Sequence, residues 1–230
     1  MKEEIFLTHV HLETPLTICD GSPQLLIVES PTEFFRLVSS LDAQFDGGDG
    51  DFVFSRGQSI ISPDKLGAMV SDLFHFDLND KKLTSLLYKR LEEASFGDKL
   101  IDFNKLSAAT VGFLSEIAFT VPFSLCYEEP QPVDYFKAAG LKMEKTYDSL
   151  EEKIICYVNA LIELKKCEFF VFVNLKSVID DEKLLSIYNH CESEKVGLLL
   201  IESSKLRPLL PCERAVIITD DLCEILENYI

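Results

Sequence analysis

No phosphate loop follows the strand of this chain that would need one to hold a nucleotide. Leu25-Leu26-Ile27-Val28 reads as a buried strand, and the segment from Pro31 onward reads as a helix. A nucleotide-binding α/β protein places a glycine-rich loop ending in Gly-Lys-Ser/Thr at that junction. Only Glu29-Ser30 stands there. Two residues cannot wrap a triphosphate, and Glu29 repels one. Ser30 suits an N-cap, Pro31 the first helical position, and Glu33 the reciprocal partner of a capping box. The pattern is that of a nucleotide-binding fold with the nucleotide chemistry taken out, which favours binding or assembly over catalysis.

Other absences narrow the field. No apolar run approaches the roughly 20 residues of a membrane helix. The chain begins Met-Lys-Glu-Glu without a long apolar stretch, so no secretory signal is expected. Its seven cysteines (19, 126, 156, 167, 191, 212 and 223) include no Cys-x-x-Cys pair. Several sit in apolar patterns, which points to buried free thiols in a reducing cytoplasm. There is no Gly-x-Ser-x-Gly elbow and no Cys-His signature. Basic side chains are scarce: 22 against 39 acidic ones, a net charge of −17. Taken alone, that argues against nucleic acid, whose phosphates are bound by lysine and arginine.

The charge is uneven, however. Residues 81–105 hold Lys81, Lys82, Lys89, Arg90, Lys99 and Lys105 against Glu92, Glu93, Asp98 and Asp102. Residues 137–145 hold Lys137, Lys142 and Lys145 against Glu144, whereas residues 213–230 hold Arg214 against five acids. Each run also fits a solvated helix face.

What is present is ordinary for a packed globular chain: 230 residues, 47% hydrophobic. The first 60 residues read as β-rich, with Ile5-Phe6-Leu7 and Leu16-Thr17-Ile18 as short strands and Pro15 and Asp20-Gly21 as breakers. A helix over 31–41 carries Phe34, Phe35, Leu37, Val38 and Leu41 as a broad apolar stripe. The middle is helical. Asn79 or Asp80 caps a helix with Leu83, Leu86, Leu87 and Leu91 at helical spacing. Phe96-Gly97-Asp98 breaks it. A second helix over 100–121 places Phe103, Leu106, Phe113 and Ile117 on one stripe and ends at Pro122. The two should pack as an antiparallel hairpin, followed by the loop Glu128-Glu129-Pro130-Gln131-Pro132 and a short helix ending at Gly140.

The last third alternates. A helix over 147–166 carries Leu150, Ile154, Val158 and Leu161. Strand Phe169-Phe170-Val171-Phe172-Val173, a helix over 180–191, strands at 198–201 and 215–218, and a short acidic terminal helix complete the chain. Continuous apolar strands alternating with helices mean an α/β protein with a parallel sheet covered on both faces. Domain bounds follow: residues 1–79 with 145–230 as an α/β head, and residues 80–144 as a helical leg.

Few constellations carry chemistry. Asp46, Asp49 and Asp51 between glycines lack the ligand spacing of a calcium loop and read as a solvated turn. His9-x-His11 alternates along a strand and could clip a metal, though a surface strand explains it as well. Glu29, Asn174, Glu202 and Asp220 fall at the strand ends, where open parallel sheets bind ligands. An acidic crest suits a metal or a basic partner better than a phosphate. The plain alternative has Asp220 capping a helix and Glu29 and Glu202 solvated.

The order of these segments resembles the small ring-forming CRISPR-associated protein family specific to subtype II-A, a DNA-end-binding accessory of spacer acquisition. The resemblance runs over nearly the whole chain. It is carried by Leu25-Leu26-Ile27-Val28-Glu29, by residues 83–91 followed by Asn104-Lys105-Leu106-Ser107-Ala108-Ala109-Thr110 and Ile117-Ala118-Phe119, and by Ala139-Gly140-Leu141-Lys142-Met143-Glu144. It continues through Lys165-Lys166-Cys167-Glu168 into strand 169–173 with Asn174, and through Leu198-Leu199-Leu200-Ile201-Glu202. It implies a head like that of phosphate-loop proteins without the loop, an inserted helical leg, and a cytoplasmic homotetrameric ring. The ring's basic interior would thread duplex DNA ends, without catalysis, beside the nucleases of CRISPR adaptation and the effector nuclease in antiviral defence.

The resemblance also implies calcium at an acidic cluster, onto which Glu128 and Glu129 fall. Ser124 and Cys126 stand where carboxylates are usual, and Thr120 replaces another acid, so the ligand set is depleted. Lys142 matches the family pattern for DNA contact. Lys137 and Lys145 share its region, and Lys82 and Lys89 lie seven apart on one helix face. A ring resolves the charge paradox, because lysines can line the hole while carboxylates face outward. Two rivals remain: a divergent metal-dependent hydrolase working at the acidic strand ends, and a protein-only scaffold of the adaptation complex.

Overall fold

The computed structural model describes residues 4–18 and 22–228. Cys19 and the breaker Asp20-Gly21 lie outside the described residues. Among the described residues ten strands and seven α-helices follow one another as β1 (Ile5–Thr8), β2 (Leu16–Ile18), β3 (Gln24–Val28), α1 (Pro31–Phe45), β4 (Val53–Arg56), β5 (Ser59–Ile61), α2 (Pro63–Leu66), β6 (Gly67–Val70), α3 (Lys81–Phe96), α4 (Leu100–Ala118), α5 (Pro132–Ala138), α6 (Leu150–Lys165), β7 (Phe169–Val173), α7 (Asp181–Ser193), β8 (Gly197–Glu202), β9 (Arg214–Ile218) and β10 (Glu224–Asn228). A 3-10 turn, Leu175–Ser177, follows β7. The chain divides into two compact units, Met1–Asp77 with Thr146–Ile230, and Leu78–Lys145.

The first unit is α/β with two sheets. A six-stranded sheet runs β10-β9-β3-β8-β7-β6, and a four-stranded antiparallel sheet runs β2-β1-β4-β5. Strands β3, β7 and β8 are buried at every position, as expected of parallel strands covered on both faces. Alternation divides their side chains. Leu26, Val28, Phe169, Val171, Leu199, Ile201, Val216 and Ile218 join Ile5, Leu7, Leu16, Ile18 and Phe54 of the antiparallel sheet and Leu37 and Leu41 of α1 in one core. The alternate residues, such as Leu25, Ile27, Phe170 and Phe172, are equally buried. Their side of the sheet is therefore covered too, and α6 and α7 bury matching stripes of Ile154, Val158 and Leu161 and of Leu184, Ile187 and Tyr188.

The sheet departs from the expected parallel one at its edge. The acidic tail forms strand β10, antiparallel to β9 from Glu224↔Ile218 to Asn228↔Arg214, not a helix. A helix of that length would be marginal, with glutamates where its dipole disfavours them. Pairing on β9 satisfies the same backbone groups in a ladder. The turn that reverses the chain puts Leu222 at φ 61° and closes with Leu222 N–H on the Thr219 carbonyl. Asp220 therefore sits in a β-turn and caps no helix.

Local readings also need correction at helices. Ser30 makes no side-chain cap on α1, and Glu33 turns instead to Arg36, 2.9 Å from its Nε. Phe35 points outward, 75% exposed. Helix α4 stops at Ala118, four residues before Pro122. Helix α6 starts at Leu150, where the Ser149 hydroxyl caps Glu152 N–H. The segment between β4 and α3 holds a strand without sequence signal, β6. Gly67 at its start is required by packing, since a Cβ there would lie 2.4 Å from the Phe169 ring.

Candidate nucleic-acid interface

The expected DNA-binding lysines all lie in the unit Leu78–Lys145, whose scaffold is α3. Asp80 caps that helix by accepting from Leu83 N–H at 2.7 Å. Helix α5 packs on it, with the Tyr88 and Phe136 rings 5.8 Å apart. The chain after α5 turns at Gly140, φ +61°, and runs back along α3 as a strap. Two side chains of the α3 region pin it. Asn79 donates to the Met143 carbonyl at 2.9 Å and accepts from Met143 N–H at 2.8 Å. The Tyr88 hydroxyl donates to the Leu141 carbonyl at 3.0 Å. Lys142 thus sits between two fixed backbone points, with its side chain exposed.

Lys82 and Lys89 are exposed on α3, and Lys137 is exposed on α5. The fold therefore gathers Lys82, Lys89, Lys137 and Lys142 onto elements packed around a single helix. Lys145 is exposed two residues past the strap, at the end of the unit. None of Lys89, Lys137 and Lys142 is ion-paired among the described residues. An unpaired surface lysine keeps its full charge available to a phosphate.

Charge follows the two units. Residues 78–145 hold nine basic and ten acidic side chains, and the rest of the chain holds thirteen and twenty-nine. The net −17 therefore divides into −1 and −16. Within 78–145 the basic side chains concentrate on α3 and the strap, while Glu116, Glu128, Glu129 and Asp134 lie on α4, the following loop and α5.

Glu128 and Glu129, onto which the calcium expectation falls, have few metal-ligating side chains around them in this unit. The Glu129 carboxylate accepts from the buried Ser107 hydroxyl at 3.2 Å, and Glu128 is exposed. Among the described residues no group of three or more histidine, cysteine, aspartate or glutamate side chains could hold a metal ion. Calcium takes six to eight oxygens, so two neighbouring carboxylates alone would hold it weakly. A chelator is therefore expected to change the native mass and melting temperature of the protein only slightly, and Glu128→Ala to behave likewise. A calcium-dependent rise in either quantity, lost in Glu128→Ala, would show that oxygens from elsewhere complete the site.

His9 and His11 do not form a metal clip either. Arg36 lies against His11, 3.1 Å from its Nε2, and reaches Asp51 at 2.8 Å. His9 Nδ1 accepts from His11 N–H, and burial pushes the His9 imidazole down to about 4. A guanidinium among these groups repels a cation. Asp51, read as part of a solvated turn, is one of its anchors.

The strand ends hold a buried network that the sequence did not reveal. Glu202 is 1% exposed instead of solvated. One of its oxygens accepts from Lys176 N–H at 2.9 Å, and the other has no protein partner. Burial raises the Glu202 carboxyl to about 7. Lys176, also buried, donates to both oxygens of Glu213 at 2.7 Å. Glu213 accepts further bonds from the Tyr188 hydroxyl and Leu210 N–H. Desolvation, with Glu213 alongside, pushes the Tyr188 phenol upward. Arg207 bonds the carbonyls of Lys176 and Ile179 and pairs with Asp181. Asn174, left-handed at φ 54°, accepts from Ser203 N–H. Of the expected acidic crest Glu29 and Asp220 are exposed, and the Glu29 N–H is tied to the Ile218 carbonyl. Lysine and glutamate within apolar surroundings, Leu175-Lys176 and Cys212-Glu213, were the available signal.

The six described cysteines are free. Burial raises the Cys167 and Cys191 thiols to about 11 and about 12, which leaves them unreactive. No helix is long and apolar enough to cross a membrane, among the described residues.

Comparison with known proteins bears on this geometry. Residues 44–222 match the family described as CRISPR-associated protein (Cas_Csn2). A CRISPR-associated protein Csn2 of Enterococcus faecalis is 25% identical over 195 residues, 83% of this chain and 86% of its own. A second, from Streptococcus agalactiae, is 22% identical over 203 residues, 86% of this chain and 89% of its own. Among solved structures, the ATP-binding cassette of an ABC transporter aligns at 13% identity and TM-score 0.44, covering 94% of this chain and 88% of that one. An overlap that loose carries no argument about activity.

Proposed function

Because the chain belongs to the CRISPR-associated Cas_Csn2 family, we propose that it serves CRISPR spacer acquisition as a non-catalytic protein that binds duplex DNA at its ends. In this reading it forms a homotetrameric ring in the cytoplasm and works beside the adaptation nucleases and the effector nuclease in antiviral defence. The observation that carries the reading is the lysine array around α3, with Lys142 held on its pinned strap. Phosphates are the natural partners of exposed lysines such as Lys89, Lys137 and Lys142, which are not ion-paired among the described residues.

Two features support the absence of catalysis. The β3–α1 junction is two residues long, without room for a phosphate cradle. The polar groups at the strand ends are buried and bonded to one another, so a substrate would have to displace Lys176 from Glu213. Descent of the head from a phosphate-loop fold that has lost its loop accounts for the strand order and the short junction together.

Threading and surface binding separate on DNA topology. A gel shift is expected to show linear duplex bound regardless of sequence and covalently closed circles bound poorly. Equal binding to both forms would remove the ring that admits DNA by its ends. No binding to either would leave the protein-scaffold alternative.

A further inference from the structure

Strand β10 ends the six-stranded sheet, with β9 along one side and no strand along the other among the described residues. Its register on β9 is unbroken from Glu224 to Asn228, and it holds no proline. Edge strands are ordinarily guarded by a bulge, a proline or an outward charge. The charges of this one are held by the chain itself. Glu224 accepts from the N–H groups of Glu13 and Thr14, and Glu227 pairs with Lys205. The apolar side chains are left outside instead: Ile225 is 49% and Leu226 60% exposed.

Side chains alternate across a strand, so Glu224 and Leu226 face one way and Ile225 and Glu227 the other. An open cleft lies on each side. One, of about 420 Å³, runs between Glu227 and the loop of Leu206, Pro208 and Leu209. The other, of about 170 Å³, runs between Leu226 and the pair Pro15 and Leu16. A strand laid along β10 would send its side chains into the two clefts in turn, large ones into the first and small ones into the second. Added strands are recognised in this way: backbone hydrogen bonds hold them, and pockets select alternate side chains.

Charge decides what the strand belongs to. The turn before β10 presents Asp220 and Asp221, and Glu13 lies beside Glu224; all three side chains are exposed. A second copy of the chain would bring the same carboxylates to this edge, and nucleic acid would bring phosphates, so both are disfavoured. We propose that β10 takes up an extended segment of a partner protein as a further strand, apolar through its middle and flanked by lysine or arginine that meets Asp220 and Asp221. Strand uptake at this edge goes beyond DNA binding and does not depend on it.

Fluorescence anisotropy of the full chain with the labelled peptide Lys-Lys-Val-Phe-Val-Leu-Val-Lys-Lys tests this. The N–H groups of successive residues leave opposite edges of a strand. Two N-methylated versions, one modified at the valines and the other at phenylalanine and leucine, therefore keep the charge and each block one edge. One version is expected to bind about tenfold more weakly than the parent peptide and the other to bind nearly as well. The peptides leave the protein untouched, so misfolding cannot produce that order. Asp220→Lys/Asp221→Lys should weaken binding about fivefold or more, and the same charge change at the exposed Asp98 and Asp102 should weaken it far less. Both methylated versions binding like the parent, or the two charge variants behaving alike, would reduce the contact to general charge attraction and overturn the added strand. No binding at about 1 mM peptide would overturn it as well. So would equal binding of Glu-Ile-Leu-Glu-Asn, which copies β10 and would make a second chain the occupant.

Discussion

Lys176→Met is expected to cost about 3–5 kcal/mol of stability, the range for breaking a buried ion pair by removing one partner. The Glu213 side chain is completely buried and that of Lys176 is 5% exposed. Both Glu213 oxygens receive the ammonium at 2.7 Å. Without it, the carboxylate keeps the Tyr188 hydroxyl and Leu210 N–H but loses its countercharge. Replacing both charges, Lys176→Met with Glu213→Leu, should recover much of the loss, since apolar residues of similar volume often match a buried pair. Urea denaturation of the three proteins checks this. A single variant within about 1 kcal/mol of the parent would mean that the pair is reached by water.

The same network sets a pH dependence through Glu202. Its folded carboxyl is raised from 4.5 to about 7, so between those values the folded state binds more protons than the unfolded one. The contribution to stability is fully present below about 4.5 and is lost as pH rises through about 7. Glu202→Gln should flatten that slope.

Substituting Lys82, Lys89, Lys137 and Lys142 together by alanine is expected to lower affinity for linear duplex on the order of a hundredfold at moderate salt. The loss should be the same on every sequence, because phosphate contacts carry no base information. Each lysine that pairs with a phosphate adds about 0.9 to the slope of log affinity against log salt. Lys142→Ala alone should therefore make the slope shallower by about one unit for each copy in contact. Lys183→Ala, at an exposed lysine of α7 paired with Asp180, should change neither quantity. An unchanged slope in the fourfold variant would show that these lysines are merely solvated.

Much of the head was legible because its strands are buried on both faces. Residues 25–28, 169–173, 198–201 and 215–218 read as strands from continuous apolar sequence, and the structure extends each by a residue or two at most. Of the two cap candidates, Asn79 and Asp80, it is Asp80 whose carboxylate serves a nearby N–H. Strand β6 was not legible. Gly67-Ala68-Met69-Val70 has little β preference and is a strand because β7 pairs with it. The acidic tail misled because its charges mask Ile225 and Leu226, which alternate along an edge.

The helix α4 periodicity was right in spacing, but only Phe103 of its stripe is packed. Phe103 of the expected stripe does pack inward, beside Ser107 and Thr110, against the Phe96 and Tyr135 rings, while Leu106, Phe113 and Ile117 are exposed. Composition alone ranks those faces the other way. At the candidate interface the lysines were legible as charges, but the strap was not. Asn79 meets Met143 across 64 positions and Tyr88 meets Leu141 across 53, and no local pattern announces such bonds.

The place of β3 in its sheet has a consequence for how the chain is made. Strand β3 ends at Val28, and its two neighbours, β8 and β9, begin at Gly197 and Arg214. On a ribosome adding about 5–20 residues per second, Leu25-Leu26-Ile27-Val28 waits on the order of ten seconds for its first sheet partner. Through that interval it is a short apolar segment with open hydrogen-bonding edges, the kind most prone to pair with a neighbouring nascent chain. The helices of residues 78–145 depend on nearer contacts and can fold while it waits. Yield of folded protein should then be governed by elongation rate and by chaperones that shelter the first thirty or so residues, more than by the stability of the finished molecule.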